Sequence, residues 1–347
     1  MPITVNTRTL QSHLTGVQRY TLELLSRFGN RISYAHPSAP LFGIKGHTWE
    51  QLALPLRLRN KLLFSPANTG PLAIRNQVVT IHDVSPLDHP EWMNSRFAAW
   101  YRFLTPRLAQ RVVHVITDSE FSKQRILHHT FIDERKVTVI PIGVDPRFQP
   151  ISTDTLATHL HELKIPSRHY VLCVGSLEPR KNLGRLLQAW QRIHNVIPED
   201  VWLVVAGKGG NHRVFADNAG LDVIPPRVHL TGHVPDDLLP ALYAGALAFA
   251  YPSVYEGFGL PPLEAMASGV PVLTGNLTSL PEVIGEAGLM VDPYDVDEIS
   301  AGLQKLIDDS IMRQELSQRG LVRAAQFNWD LTASKTWDVL QQAAHSV

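Results

Sequence analysis

The chain has 347 residues, of which 44% are hydrophobic and 18% are charged. This composition is typical of packed globular proteins and excludes a disordered one. The single cysteine excludes an intrachain disulfide framework and suits a reducing compartment. The net charge is zero, but residues 1–150 carry 18 basic and 10 acidic residues, and the remainder carries 14 and 22. Either the two halves attract each other, or the basic half meets an anionic lipid or a polyanionic acceptor.

The N-terminus lacks the apolar core of a signal peptide. The longest apolar stretch, Ala241–Tyr251, is much shorter than the roughly 20 residues that span a bilayer. We therefore expect a cytoplasmic protein that is soluble or peripheral to the membrane.

Short apolar runs alternate with amphipathic helical runs along the whole chain, which predicts an α/β protein with doubly wound parallel sheets. A Pro/Gly-rich run opens the segment Pro141–Pro166, where we place the boundary between domains 1–160 and 161–326. Facing strand ends of the two domains would form a ligand-binding cleft. The predicted strands are Val78–Ile81, Val112–Thr117, Val137–Ile140, Tyr170–Val174, Val201–Ala206, Leu247–Pro252 and Val270–Leu273.

The first candidate phosphate-binding turn is Leu14–Tyr20. Thr15 and Gln18 have the spacing of a capping box, which predicts a helix that begins there. Gly16 lets a ligand approach the backbone, and a helix N-terminus favours an anion. The alternative is an ordinary capped helix. No G-x-G-x-x-G follows the first strand, which argues against a nicotinamide-dependent dehydrogenase.

The second candidate turn, Gly175–Asn182, follows the strand at Tyr170–Val174. Asn182 is expected to cap the next helix, so that Arg180 and Lys181 stand just before a helix N-terminus. Two cations at a positive helix end repel each other unless an anion lies between them, and a diphosphate would supply that anion. The alternative is a solvated pair of surface cations.

The third candidate is a glycine-rich turn between two glutamates. Glu256 precedes the turn, and Glu264 is expected in the first turn of a helix that opens near Pro261 and ends at Gly269. Two carboxylates around exposed backbone amides suit a polyhydroxy ligand that carries phosphate. A helix acid matched to the helix dipole would explain Glu264 but not Glu256.

The run Glu256–Glu264 resembles the Glu–seven residues–Glu signature of family 4 glycosyltransferases, which have the GT-B fold of two Rossmann-like domains facing a cleft. The resemblance covers most of the chain in the right order, and it implies that a C-terminal helix, 327–347, crosses back to the first domain. The segments that carry the resemblance are Thr15–Tyr20, Val78–Asp83, Ile116–Lys123, Val139–Asp145, Gly175–Leu183, Ala206–Gly209, Thr231–Val234 and Val254–Asp292.

The resemblance also implies roles for individual residues. Arg180 and Lys181, in the loop that starts at Gly175, would neutralise the leaving diphosphate, aided by Gly16. His82 would lie beside the anomeric carbon and contact the sugar or the acceptor. Glu264 would hold the ribose hydroxyls of the nucleotide. The groups expected to hold the transferred sugar are Glu256 and the backbone of Gly257, Phe258, Gly259 and Leu260.

By the same resemblance, the enzyme is expected to retain the anomeric configuration of the donor and to need no cofactor. No metal is expected, because Arg180, Lys181 and helix N-termini would neutralise the developing charge. One D-x-D motif, Asp295-Val296-Asp297, resembles a metal site. However, Asp295 and Glu298 have the spacing of a helix cap, which we favour.

Within the family, the match is strongest to bacterial O-antigen or capsule mannosyltransferases that use GDP-mannose or a GDP-6-deoxyhexose. His82-Asp83 followed by Pro90-Glu91-Trp92 is typical of that group. A glycan or lipid-linked acceptor is then expected, and no nucleic acid. A predicted helix, Asn94–Arg111, carries three arginines on one side, which indicates either membrane contact or a solvated face. Two rival functions are a GT-B-like sugar-nucleotide epimerase and a catalytically inactive sugar-nucleotide-binding partner.

Overall fold

The computed structural model describes residues 1–11, 15–58, 61–207 and 224–345. Leu14 of the first candidate turn and Lys208-Gly209 of the resembling segments lie outside this range. Contacts divide the chain into two compact units, and the main break between them falls at Gly143/Val144. The first unit comprises Met1–Pro90, Ser95–Gly143 and Phe327–Val347, and the second comprises Glu91–Asn94 and Val144–Gln326.

The first unit is built on a parallel six-stranded sheet with the order β2-β1-β3-β4-β5-β6. Strands β1, β3 and β4 are buried along their whole length, as strands covered on both faces should be. The first-unit strands are β1 (Ile3–Asn6), β2 (Ile32–Ala35), β3 (Leu62–Ser65), β4 (Gln77–Thr80), β5 (His114–Thr117) and β6 (Val137–Val139).

Seven α-helices pack around this sheet within the described residues. The first begins at the predicted capping box, where the Thr15 N–H donates to Oε1 of Gln18 at 3.0 Å. Numbered along the chain, the helices are α1 (Gly16–Phe28), α2 (Gly43–Thr48), α3 (Leu54–Arg57), α4 (Ser85–Asp88), α5 (Ser95–Arg111), α6 (Glu120–Thr130) and α14 (Trp329–His345).

The last helix, α14, packs on α1 and on the first-unit sheet. The Trp337 ring lies 5.2 Å from the Phe28 ring, and the Thr332 hydroxyl donates to the Pro141 carbonyl at 2.8 Å. A Cβ on Gly143 would stand 2.3 Å from the backbone nitrogen of Trp329, so only glycine allows this approach. The end of the chain is therefore part of the first unit.

The second unit has its own parallel six-stranded sheet, with the order β12-β11-β10-β7-β8-β9. The chain runs from β7 outward to β9 and returns on the other side of β7 at β10. The strand order thus reverses between β7 and β10, and ligands bind at such points beyond the carboxyl ends of the strands. The strands are β7 (His169–Val174), β8 (Val201–Ala206), β9 (Val228–Gly232), β10 (Ala248–Tyr251), β11 (Val272–Gly275) and β12 (Leu289–Val291).

The second-unit core lies between this sheet and helices α8 and α12, where Leu186, Trp190 and Leu303 are fully buried. All seven predicted strands occur within two residues of their predicted bounds, and the doubly wound parallel fold is confirmed. The second-unit helices are α7 (Thr153–Glu162), α8 (Leu183–Ile193), α9 (Leu239–Ala244), α10 (Leu260–Ala267), α11 (Leu280–Ile284), α12 (Val296–Asp308) and α13 (Ser310–Ala324).

Candidate active site

The turn after β7 is shaped by two glycines that nearly touch. The Gly175 N–H donates to the Ala206 carbonyl at 2.9 Å. A Cβ on Gly207 would stand only 1.8 Å from the Gly175 carbonyl oxygen, so the approach of the two loops requires glycine at 207. The side chain of Lys181 passes beside Gly175, within ordinary contact distance of a Cβ at that position.

A 3-10 turn, Pro179–Lys181, carries the two predicted cations to the start of α8. Asn182 is the N-cap residue of α8, as predicted, so Arg180 and Lys181 do stand just before the helix N-terminus. Its side chain makes no capping hydrogen bond, however, and its Nδ2 donates to the Pro252 and Pro293 carbonyls at 2.9 and 2.6 Å. It therefore ties the turn to the loops that follow β10 and β12.

Both cations contact one carboxylate, that of Glu256. Lys181 Nζ lies 2.7 Å from Oε1, and the Arg180 NH1 group lies 2.9 Å from Oε2. A backbone hydrogen bond joins the loops that follow β7 and β10, because the Val254 N–H donates to the Arg180 carbonyl at 2.9 Å. The reversal between β7 and β10 thus brings together three residues that the sequence analysis singled out separately.

Two hydroxyls complete the surroundings of Glu256. Those of Ser253 and Tyr251 donate to Oε1 at 2.7 and 2.9 Å, and Lys181 also donates to the Tyr251 oxygen. Burial raises the pKa of Tyr251, so this phenol stays protonated. Burial by itself would also raise the pKa of Glu256, but the charges of Lys181 and Arg180 outweigh it and lower that pKa to about 2. Glu256 is therefore an anion at neutral pH.

Lys181 is exposed over 11% of its side chain. Its pKa is lowered, first by burial and then by the neighbouring charge of Arg180. The carboxylates of Glu256 and Glu178 oppose this effect. Burial and the charge of Arg180 therefore favour the neutral amine, whereas Glu256 and Glu178 favour the charged ammonium.

Sequence reasoning missed the second counter-ion, Glu178. Its Oε2 accepts from Nε of Arg180 at 2.8 Å, its Oε1 accepts from the Ser176 hydroxyl, and its side chain is 6% exposed. A glutamate two residues before an arginine is common on protein surfaces, so the spacing of Glu178 and Arg180 in the sequence does not reveal that the pair is part of a site. The result is a balanced set of two cations and two anions, largely removed from water.

Serine and threonine side chains at the start of α11 hold the glycine-rich turn after Glu256. The Ser279 hydroxyl lies 2.9 and 2.8 Å from the carbonyl oxygens of Glu256 and Phe258, and the Glu256 N–H donates to the Thr278 hydroxyl at 3.1 Å. Gly259 has a φ of +116°, which favours glycine. These hydrogen bonds and the positive φ of Gly259 define the backbone conformation of the turn from Gly257 to Leu260.

Helix α10 begins at Leu260, close to the predicted start near Pro261/Pro262. The expectation that Glu264 lies in the first turn of this helix was wrong, because the earlier start puts Glu264 in the second turn. It accepts from the Tyr243 hydroxyl at 2.9 Å. A row of rings runs from there towards Glu256, with centroids 5.4 Å apart for Tyr243–Phe249 and 5.8 Å apart for Phe249–Tyr251. The two glutamates are thus each tied to one end of the same aromatic row.

In the first unit, Gly16 is the first residue of α1, and His82 follows β4 with 8% of its surface exposed. His82 Nδ1 lies 2.7 Å from Oδ2 of Asp118, and its Nε2 lies 3.0 Å from the Pro66 carbonyl oxygen. Both partners are acceptors, which favours the doubly protonated ring. Burial acts to lower the pKa of His82, but the Asp118 carboxylate outweighs it and raises the pKa.

The Asp295-Val296-Asp297 motif caps a helix. Asp295 accepts from the N–H groups of Asp297 and Glu298 at 2.7 and 3.2 Å at the start of α12, which confirms the capping interpretation. Within the part of the chain that the structure describes, no group of three or more His, Cys, Asp or Glu side chains could hold a metal ion.

Solved structures with low sequence identity share this fold over the whole chain. Anabaena Alr3699/HepE in complex with UDP and glucose aligns with a TM-score of 0.77 and 18% identity, covering 99% of this chain and 100% of that one. WaaG, a glycosyltransferase involved in lipopolysaccharide biosynthesis, aligns with a TM-score of 0.72 and 17% identity, covering 97% and 99%. The expected GT-B fold is confirmed.

Sequence comparison gives the family. The family described as "Glycosyl transferases group 1" matches residues 159–323, and "Glycosyltransferase Family 4" matches residues 44–148. O-antigen chain mannosyltransferase B of Escherichia coli is 34% identical over 77% of this chain and 70% of its own length. The MMP alpha-(1->4)-mannosyltransferase of Mycolicibacterium hassiacum is 32% identical over 73% and 60%. The chain therefore belongs to the family 4 glycosyltransferases.

Proposed function

We propose that this glycosyltransferase moves a hexose, mannose or a 6-deoxyhexose, from a nucleoside diphosphate to a glycan or lipid-linked acceptor during cell-surface polysaccharide synthesis. It retains the anomeric configuration and needs no metal ion. The observation that carries this proposal is the pair of half-buried cations, Arg180 and Lys181, paired with Glu178 and Glu256 at the point where the strand order reverses.

Breaking the bond between sugar and phosphate builds negative charge on the leaving diphosphate. Fixed cations in a water-poor site stabilise such charge strongly, because they need not reorganise during the reaction. Arg180 and Lys181 fit this task, since their carboxylate partners set their positions before any donor arrives. Arg180 offers a planar fork of donors and Lys181 a compact charge, which together suit a diphosphate.

The remaining donor contacts follow from the same site. Glu256 and the backbone from Gly257 to Leu260 bind hydroxyls of the transferred sugar, and Glu264 binds the ribose. The backbone at Gly175 faces the phosphates beside Lys181. Mannose and guanine are favoured by the likeness to enzymes named as O-antigen mannosyltransferases. The complexes named for the solved Anabaena protein contain UDP, so the base must be tested directly.

For the first unit, the family resemblance supports two further roles. The Gly16 backbone binds donor phosphate, and His82 contacts the sugar or the acceptor. Both ring nitrogens of His82 are engaged by the protein, one with Asp118 and the other with the Pro66 carbonyl, so neither is placed to take the proton of the acceptor. This agrees with a reaction on one face of the sugar, in which the leaving diphosphate takes the proton of the acceptor.

We propose that the enzyme works in the cytoplasm, in peripheral contact with the inner face of the plasma membrane. Among the described residues, no helix is both long enough and apolar enough to cross a bilayer. The basic balance of residues 1–150 supports contact with an anionic surface.

A thermal-shift screen of nucleotide sugars, followed by turnover with the most stabilising one, tests the proposal. We expect GDP-mannose or a GDP-6-deoxyhexose to raise the melting temperature most, and the product to keep the donor anomer with EDTA present. Conversion of the donor without an acceptor would support an epimerase instead. Binding without turnover on any acceptor glycan would support an inactive partner. Activity lost in EDTA and restored by manganese would overturn the metal-free mechanism.

A further inference from the structure

The hydroxyl of Tyr243 has a fixed place inside the second unit. Tyr243 lies on α9 and is fully buried. Its ring packs against those of Phe148 and Phe249, with both centroids 5.4 Å away, edge-on to the first and tilted to the second. A fully buried ring that contacts two others has little freedom to turn. The core of the unit therefore sets the direction in which this hydroxyl donates.

That direction is towards a glutamate of the candidate site. The Tyr243 hydroxyl donates to Oε2 of Glu264 at 2.9 Å. Burial raises the pKa of Tyr243 well above its ordinary value, and the charge of Glu264 adds to this effect, so the phenol stays protonated and remains a donor. Glu264 is only half-buried, and a glutamate side chain has many rotamers. A hydrogen bond from a fixed donor restricts the carboxylate to few of them.

A buried phenol does not need a carboxylate as its partner. Tyr170 is also fully buried, and its hydroxyl donates to the Leu242 carbonyl of α9 at 2.7 Å. Tyr243 and Tyr251, in contrast, donate to the two glutamates on either side of the glycine-rich turn. Both phenols belong to one aromatic row, and each contacts one glutamate. This repeated pairing indicates a role in the site beyond satisfying a buried hydroxyl.

We infer that Tyr243 is a positioning residue that orients the Glu264 carboxylate towards the ribose of the donor and thereby sets a preference for ribose over deoxyribose. A carboxylate can accept about four hydrogen bonds, so the bond from Tyr243 leaves capacity for the ribose hydroxyls. Because the carboxylate is oriented before the donor arrives, less side-chain freedom is lost on binding. The inference rests on the ribose contact proposed for Glu264 and names the residue that makes this contact selective.

Calorimetric titration of the full chain with GDP, and with the dideoxy form of GDP that lacks both ribose hydroxyls, tests the inference. If the thermal-shift screen selects another base, the corresponding pair of nucleotides takes their place. Tyr243→Phe removes only the hydroxyl. The matched control, Tyr170→Phe, removes a buried hydroxyl that donates to the same helix but to Leu242 in place of Glu264. The ratio of the two dissociation constants is taken within each protein, so it does not depend on the folded fraction.

We expect wild type and Tyr170→Phe to bind GDP at least tenfold more tightly than its dideoxy form, because hydrogen bonds to a charged group are lost. In Tyr243→Phe this ratio should fall to about threefold, and Glu264→Gln should lower it to a similar value. The double variant should show no further fall, since the two residues act as a unit. In initial rates, Tyr243→Phe should raise the donor KM and change kcat little.

The outcomes separate this inference from the proposed function. If Glu264→Gln lowers the ratio but Tyr243→Phe leaves it unchanged or raises it, the inference alone is overturned. An equal fall in Tyr170→Phe would also overturn it, because the position of α9 would then explain the effect. If wild type binds both nucleotides equally, or if Glu264→Gln leaves the ratio unchanged, the proposed ribose contact of Glu264 is wrong and the inference fails with it.

Discussion

Lys181 Nζ lies 2.7 Å from Oε1 of Glu256, a residue 75 positions further along the chain. The carboxylate stands between two cations, since the Arg180 NH1 group lies 2.9 Å from its other oxygen. From the sequence, the adjacent cations Arg180 and Lys181 require an anion between them, which we assigned to a diphosphate ligand. The protein supplies one itself, so a bound diphosphate must share or replace the contacts of Glu256.

Replacing Glu256 with glutamine should affect diphosphate binding and catalysis in opposite directions. Glu256→Gln removes the competing charge, so a nucleoside diphosphate without sugar should bind at least as tightly as to wild type. Transfer should fall at least tenfold, because the contact with the sugar hydroxyls is weakened. Calorimetry and initial rates give the two values, with the exposed Glu199→Gln as control. Weaker diphosphate binding in Glu256→Gln would mean that the carboxylate does not oppose the ligand.

Glu178 should act by positioning Arg180. Glu178→Gln loses the charge-assisted contact with Nε, and a small shift of the guanidinium should lower kcat about tenfold with little change in donor KM. Glu178→Asp should recover part of the rate. If Glu178→Gln lowers stability and expression but leaves kcat unchanged, the residue serves the fold only.

Acid should destabilise the protein in part through Glu256. Its folded-state pKa, about 2, lies below the ordinary value of 4.5, so its contribution is complete above pH 4.5 and is lost as the pH falls towards 2. The shift corresponds to about 3 kcal/mol of unfolding free energy. Urea unfolding at several pH values should show a shallower loss for Glu256→Gln than for wild type. Parallel curves for the two proteins would contradict this account.

Gly207→Ala should be damaging for a steric reason. Its Cβ would stand 1.8 Å from the Gly175 carbonyl oxygen, so the loop beside Lys181 must move. We expect a loss of about 2 kcal/mol or more in unfolding free energy, together with a lower rate of transfer. Gly232→Ala is the matched control, because Gly232 has a φ of +69° with no atom within 4 Å of the added Cβ. Its cost should be limited to backbone strain of about 1 kcal/mol, and an equal cost for both would contradict the steric argument.

The sequence predicts seven strands close to their observed bounds; β8 has its predicted bounds, and β7 starts one residue early. Strand β2 was missed because its four residues are largely half-buried or exposed. Strands β1 and β3 were missed although they are buried along their whole length, because a short apolar run alone does not separate a strand from a buried helical segment. The residues of the candidate site were likewise predicted only in part. Arg180 and Glu256 were identified from local patterns, but their contact depends on which strands are neighbours, and strand order is not written in the local sequence.

The central claim is that Arg180 and Lys181 hold the diphosphate of the donor without a metal ion. Calorimetric titration of GDP, or of the nucleoside diphosphate that the thermal-shift screen selects, into wild type and Lys181→Ala in excess EDTA tests it most directly. The account predicts that wild type binds fully in EDTA and that Lys181→Ala binds at least tenfold more weakly. Binding by wild type only after manganese is added, or equal affinity of the two proteins, would contradict it.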